Sequence, residues 1–182
     1  MIDNLVPVKI SSAWANVRFM CSEEYIRTVC HGSCCQGSDK ILISLLPCEV
    51  EFQERAGYPT KDGLLLPDAT TKICPHKKEF GLCDLHYTEN KPLGCILSPF
   101  TINRNNTVII RNRYSRMRCH GSGTPAYICF RESLNRMFGF KEAQRVCDHL
   151  ASGGGDVIAY MDVGLHDSMI YLDTLKHTEE AE

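Results

Sequence analysis

One stretch of the chain carries a clear helical period. In "RESLNRMFGFKEAQRVCDHLAS", Ala143, Val146, Cys147 and Leu150 recur at three- and four-residue spacing, which puts them on one face of a helix. Gly153 to Gly155 stop it. "DVIAYM" then reads as a strand, and "LHDSMIYLDTLKH" as a last helix before an acidic tail, "TEEAE", expected to fray. Just upstream, "TINRNNTVIIRNRY" holds two short β-prone runs around Asn105 and Asn106, the pattern of a hairpin.

The first half is less regular. Ser22 is placed to cap a short helix with Glu23 and Glu24 in its first turn, delivering Cys30 into a Gly-containing loop. "KILISLLPCEVEFQERAG" reads as a brief apolar run, a break at Pro47, and a helix ended by Gly57. Residues 58–68, with Pro59, Gly63 and Pro67, read as loop with a short extended piece; residues 72–100 are turn-rich. No repeat or low-complexity linker interrupts the chain. The expectation is α+β: a single small domain with irregular cysteine-rich loops, a β-hairpin and a C-terminal helical part. Residues 1–125 form the cysteine-bearing region, and 126–182 a helical part packed on the same domain.

Composition narrows the class. The 182 residues are 43% hydrophobic and 23% charged, as in ordinary soluble globular proteins. A net charge of −2 argues neither for nor against a nucleic-acid partner. The unusual count is eleven cysteines. The N-terminus lacks the basic and apolar regions of a signal peptide, and no window approaches eighteen apolar residues, so a cytoplasmic, non-membrane protein is expected. In a reducing compartment clustered thiols more often hold metal or do redox chemistry than form disulfides. A disulfide framework is the second reading.

The cysteines group. Cys30, Cys34 and Cys35 lie in "CHGSCC"; Cys74, Cys83 and Cys95 follow in turn-rich segments, and Cys119 opens "CHGSG". Thiolates suit zinc or iron–sulfur clusters, being soft and anionic. A structural zinc site needs four ligands. Seven clustered cysteines exceed that and favour two metals or a multi-iron cluster. Structural zinc contributes about 10–16 kcal/mol of apparent binding free energy in small peptides. A buried free cysteine contributes only about 1–2 kcal/mol, like a short apolar side chain. Cys129 and Cys147 sit in apolar or helical contexts and read as core; Cys48, at a helix start, reads as structural, and Cys21 is ambiguous.

Five ordered segments, "CHGSCC", "ILISLLPCEVEFQERAG", "CPHKKEFGLCDLHY", "KPLGCILSPF" and "RCHGSG", resemble the YkgJ-like family of zinc- or iron-chelating cysteine-cluster proteins, which includes the flagellin lysine N-methylases. The resemblance covers roughly residues 25 to 125. It implies metal ligation by Cys30, Cys34, Cys35, Cys74, Cys83, Cys95 and Cys119. The family's first element is often C-x-x-C-x-x-C-C; Thr28 occupies a cysteine position here, with His31 or Cys21 as alternatives for the missing ligand. Lys91 stands where arginine is usual, and Ile96 where arginine is frequent, so no role of that arginine carries over.

Other constellations carry less. His31, His76, His86 and His120 lie near cluster cysteines; each reads first as an exposed loop histidine, with His31 and His120 the better ligand candidates. Arg104, Arg111, Arg113, Arg116 and Arg118 crowd one run. On a strand, Arg111 and Arg113 would share one face and Arg116 and Arg118 the other, as an anion or cofactor site or a solvated hairpin. "SGGGDVIAYM" has its glycines before a strand, the wrong order for a phosphate loop. The pair in "LHDSM" lacks the further ligands of a phosphohydrolase. A cysteine nucleophile is chemically open, but no one cysteine is singled out. The sequence thus points to iron, as an iron–sulfur cluster or iron centre, with zinc second. Two classes follow: an enzyme of modification chemistry acting on an anionic or macromolecular substrate, or a non-catalytic zinc-stabilised interaction module.

Overall fold

The computed structural model describes residues 4–35, 43–86 and 88–177, without the side chains of Cys35, Lys176 and His177. The start of the apolar run before Pro47 and the acidic tail lie outside the described residues. The protein is α+β, with helices and three small sheets. It divides into two compact units that cut across the expected division at residue 125. One comprises 1–21 and 97–170, the other 22–96 and 171–182.

The first unit holds a four-stranded sheet of order β6-β7-β1-β9. β1 (Leu5–Ile10) is central, parallel to β7 (Thr107–Ile110) and antiparallel to β9 (Val157–Asp162). β6 (Phe100–Ile102) completes the expected hairpin, with Phe100 opposite Ile110. β9 alternates strictly: Val157, Ala159 and Met161 are buried, while Ile158 and Tyr160 are exposed. The expected long helix is α5 (Arg131–Ala151), and it buries Leu134, Met137, Ala143, Val146, Cys147 and Leu150. It is not continuous. Gly139 breaks it at φ 73° and ψ 159°, outside helical space and in a region glycine enters without steric cost. Trp14 stacks on Phe100 with centroids 4.8 Å apart, and Phe19, Tyr114 and Phe130 meet at tilted or edge angles. A two-residue pair, β2 (Arg18–Phe19) with β8 (Thr124–Pro125), and the short α4 (Ala126–Cys129) complete this unit.

The second unit is built from shorter pieces. Ser22 caps α1 (Glu23–Tyr25), its hydroxyl accepting the Tyr25 N–H, and a wider turn over Ile26–Cys30 follows. β3 (Ile43–Ser44), β5 (Leu64–Leu65) and β4 (Thr60–Lys61) form an antiparallel sheet of order β3-β5-β4. Residues 58–68, expected as loop with a short extended piece, contain the β4–β5 hairpin. Its Asp62-Gly63 turn has both φ values positive, which this dipeptide accommodates best. α2 (Pro47–Arg55) starts at Pro47 and ends before Gly57, as expected. Its Glu49 carboxylate accepts the Leu46 N–H at 2.8 Å and the Leu93 N–H at 2.7 Å, tying α2 to the start of α3 (Leu93–Ile96). α6 (Val163–His177) is the expected last helix.

Candidate metal centre

Six of the seven cysteines read as ligands, Cys30, Cys34, Cys35, Cys74, Cys83 and Cys95, belong to the second unit. Cys30 is buried and ends the turn that follows α1. His31 closes it in the left-handed region at φ 47°, its N–H bonded to the Ile26 carbonyl at 2.8 Å, and Gly32 continues at φ 60°. Cys34 and Cys35 lie in a single tight turn. A second pair of left-handed residues, Phe80 and Gly81, stands two residues before Cys83. The two turns are pressed together. A Cβ on Gly32 would fall 2.2 Å from the Gly81 carbonyl oxygen, and one on Gly81 would fall 2.0 Å from the His31 carbonyl carbon. No other residue fits either position without moving backbone.

Cys74 and Cys83 are the ends of a closed loop. Lys77 N–H bonds the Cys74 carbonyl at 3.0 Å, and a β-bridge pairs Lys77 with Cys83. Asp84 N–H donates to the His76 carbonyl at 3.0 Å. His76, expected to be an exposed loop histidine, is buried at 4% exposure. Its Nδ1 lies 3.1 Å from Asp84 Oδ1 and its Nε2 2.7 Å from the Gln53 amide, with the Tyr58 ring edge-on at 4.3 Å. Lys78 Nζ holds the other Asp84 oxygen at 3.1 Å. Burial lowers the pKa of His76, with Asp84 opposing. Gln53 Nε2 is buried without a hydrogen-bond partner. Turning that amide over aims Nε2 at His76 Nε2, which suits a neutral imidazole carrying its proton on Nδ1 toward Asp84.

Cys95 lies on α3, where its N–H donates to the Pro92 carbonyl at 2.9 Å. There Gly94 lets the helix approach β3, since a Cβ would sit 2.1 Å from the Ser44 oxygen. Cys34, Cys74, Cys83 and Cys95 are all half-buried. Among the described residues, which leave out the Cys35 side chain, no three His, Cys, Asp or Glu side chains gather as a metal-ion group. The donor chemistry fits a soft metal or cluster: several thiols on turn-rich backbone of one compact unit.

The remaining candidates fall elsewhere. Cys119 belongs to the first unit and is buried; the neighbouring Cys21 thiol and then burial push its pKa up. Cys147 is core as expected, donating to the Tyr127 carbonyl at 3.6 Å; Cys48 is exposed on the first turn of α2. The arginines do not lie on a strand. β7 ends at Ile110, Arg111 precedes a single 3-10 turn over Asn112–Arg116, and the proposed sharing of faces is lost. Arg113 is engaged internally, giving Nη2 to the Ser98 carbonyl at 3.2 Å and hydroxyl at 2.6 Å, while Arg116 and Arg118 are exposed. His31, His86 and His120 are exposed; His86 Nδ1 meets Lys91 Nζ at 3.2 Å and the His120 ring lies 5.4 Å from that of Phe19.

Sequence reasoning missed the His76–Gln53–Asp84 network. Its one local signal was the eight-residue separation of His76 and Asp84 across a turn-rich loop. No helix of the described residues is long and apolar enough to cross a membrane. No family model matches the chain, and no curated protein or solved structure is found similar to it.

Proposed function

We propose that the protein is a metal-binding protein whose second unit holds an iron–sulfur or iron centre through clustered cysteines. The ligands are drawn from Cys30, Cys34, Cys35, Cys74, Cys83 and Cys95. The observation that carries the reading is the contact between glycine backbones at Gly32 and Gly81, which presses the turn beside Cys30 and Cys34 against the turn beside Cys83. Two independent loops without a shared task have no reason to keep four left-handed residues, two of them non-glycine, at one contact. The ordered resemblance to the YkgJ-like family implies these six ligands and Cys119 as a seventh. A bound centre would supply redox or Lewis-acid chemistry. The chain's own contribution is to converge the thiolates and shield them, with buried His76 and its partners bracing the loop that carries Cys74 and Cys83.

Zinc is the second choice, with the unit then a stabilised interaction module. Modification chemistry on an anionic or macromolecular substrate is the further reach of the resemblance; the arginine run is less apt for it than a strand would be, because Arg113 is engaged with Ser98. Anaerobic purification with iron, zinc and acid-labile sulfide measured per chain decides the matter. Iron with sulfide is expected. Stoichiometric zinc without iron sinks the iron reading and leaves the zinc module, and a metal-free chain defeats both.

A further inference from the structure

We propose that the first unit binds single-stranded nucleic acid, with phosphates on a rim of arginines and bases on the exposed rings of Phe140 and His120. This site is independent of any metal in the second unit.

Charge is segregated along the chain of this unit. Residues 4–21 and 97–131 contain no Asp or Glu, and the second stretch holds six arginines and no lysine. Guanidinium groups match phosphate geometry in a way ammonium groups do not. The carboxylates of the unit's described residues begin at Glu132. Of these, Glu142 is taken by Arg145, Asp156 by Ser12 and Lys9, and Asp162 by the Gly164 and Leu165 N–H groups. A surface shaped for solubility alone intersperses both signs. The arginine stretch does not.

The fold gathers the arginines around one aromatic cluster. The rings of Phe19, Tyr114 and Phe130 lie between 4.9 and 6.3 Å of one another, and Arg18, Arg113 and Arg131 are their neighbours in sequence. Neutral oxygens hold all three. Arg18 Nη1 donates to the Gly123 carbonyl at 2.9 Å, and Arg113 Nη2 to the Ser98 carbonyl and hydroxyl. Arg131 gives Nε to Asn135 Oδ1 at 2.9 Å and Nη2 to Gln144 Oε1 at 2.8 Å. These bonds fix each guanidinium without cancelling its charge, and their anchors on separate segments spread the charge along a rim. Exposed Arg116 extends it, because side chains three apart in a 3-10 turn eclipse and Arg113 precedes it by three. Two exposed rings stand at the rim. Phe140, 69% exposed, follows the helix break at Gly139, with the Arg131 guanidinium 5.5 Å from its centroid. His120 bridges Phe19, their rings 5.4 Å apart. Arginines for phosphates beside aromatic faces for bases are the parts of a sequence-tolerant single-strand site. An anionic membrane would take the same charge, but its binding needs a continuous apolar face. Phe140 instead stands between exposed Gly139 and Lys141.

The test follows fluorescence anisotropy of labelled oligo-uridine RNA and oligo-thymidine DNA, each about 20 nucleotides, as the full-length chain is added at several salt concentrations. Both should bind in the micromolar range at about 50 mM salt, with log affinity falling against log salt at a slope of about −2 to −3. A duplex of equal length should bind at least about fivefold more weakly, because its bases are not free to stack. Arg18→Ala with Arg116→Ala should cost at least about tenfold at about 0.1 M salt and flatten the slope by about 1.4. Phe140→Ala should cost about fivefold or more and leave the slope unchanged, the mark of stacking rather than charge. Arg104, in the turn before β7, lies beyond the far end of that strand from the 3-10 turn, so Arg104→Ala should stay within about twofold of wild type. Failure of the wild-type chain to bind either strand at low salt, or a slope near zero, overturns the proposal, and neither readout needs a variant to fold. Duplex bound as tightly as single strand overturns it, as does an equal loss from Arg104→Ala or none from Phe140→Ala. Binding to phosphatidylserine vesicles without binding to either strand makes the surface a membrane site. Displacement of the strand by inorganic phosphate at matched phosphate concentration makes it a small-anion site.

Discussion

The two units earn their structure differently. In the first, the six-residue strands β1 and β9 and the long α5 bury continuous apolar faces, so hydrophobic burial accounts for the order. In the second, every strand among the described residues is two residues long, and non-glycine residues at positive φ include His31, Asp62, Lys72 and Phe80. Left-handed non-glycine residues cost on the order of 1–3 kcal/mol each in strained settings. Such a unit has less apolar burial to offset that cost and more to gain from cross-links through its thiols. The difference teaches where a bound centre would matter most.

The largest expected effect follows. Stripping metal with a chelator under reducing conditions should abolish amide protection over residues 43–96, while α5 and β9 keep theirs, as hydrogen exchange would show. Equal loss in both units would erase the contrast. Cys34→Ser with Cys35→Ser should likewise abolish metal retention, whereas Cys147→Ser should leave it intact, read as metal per chain.

Leu134, fully buried in α5, offers the matching break in the first unit. Leu134→Ala should cost about 2–5 kcal/mol in urea unfolding and leave metal content per folded chain unchanged. Gly81→Ala must accommodate both a positive φ and a 2.0 Å backbone clash. It should cost at least about 1–3 kcal/mol and lower metal occupancy as well, which separates a turn serving a site from a turn serving only the fold.

The smallest effect is electrostatic. Glu142 accepts Arg145 Nε at 2.8 Å and Nη2 at 2.7 Å, and the Tyr160 N–H at 3.0 Å; Arg145, then the Tyr160 N–H, hold its carboxyl below the usual glutamate range against the effect of burial. A folded-state pKa below the unfolded one adds stability above the unfolded value, lost as pH falls through the folded one. Glu142→Gln should therefore cost up to about 1 kcal/mol at neutral pH, discounted for the half-exposed arginine, and nothing once acid has protonated the wild-type carboxyl. Denaturant midpoints at the two pH values check this.

Much of the first unit was legible because its signals are local. The stripe from Ala143 to Leu150, the strand "DVIAYM" and the hairpin around Asn105-Asn106 depend on neighbours in sequence, and each formed. β1 was not read, although Val8 and Ile10 alternate with exposed or half-exposed neighbours; its importance comes from partners about a hundred and a hundred and fifty residues away. Gly139 inside the helix was a visible breaker, and Asp62-Gly63 a visible turn, both outweighed by broader patterns around them. In the second unit the helix bounds at Ser22, Pro47 and Gly57 were readable from capping chemistry. Burial of His76 was not, because it depends on Gln53, twenty-three residues upstream on the far side of a hairpin. The arginine run misled for a related reason: strand pairing stops where Phe100 meets Ile110, and Arg111 N–H turns back to the Pro99 carbonyl at 2.8 Å.

The Glu142–Arg145 pair has a consequence for how molecules meet. β9 is the last strand of its sheet and shows Ile158 and Tyr160 to solvent, a template on which a second molecule's strand could add. Two of its outward backbone groups are occupied: Glu142 takes the Tyr160 N–H and Arg145 donates to the Ile158 carbonyl. Two side chains of one helix thus stand in for a fifth strand, and removing them would invite self-association and aggregation even where folding survives.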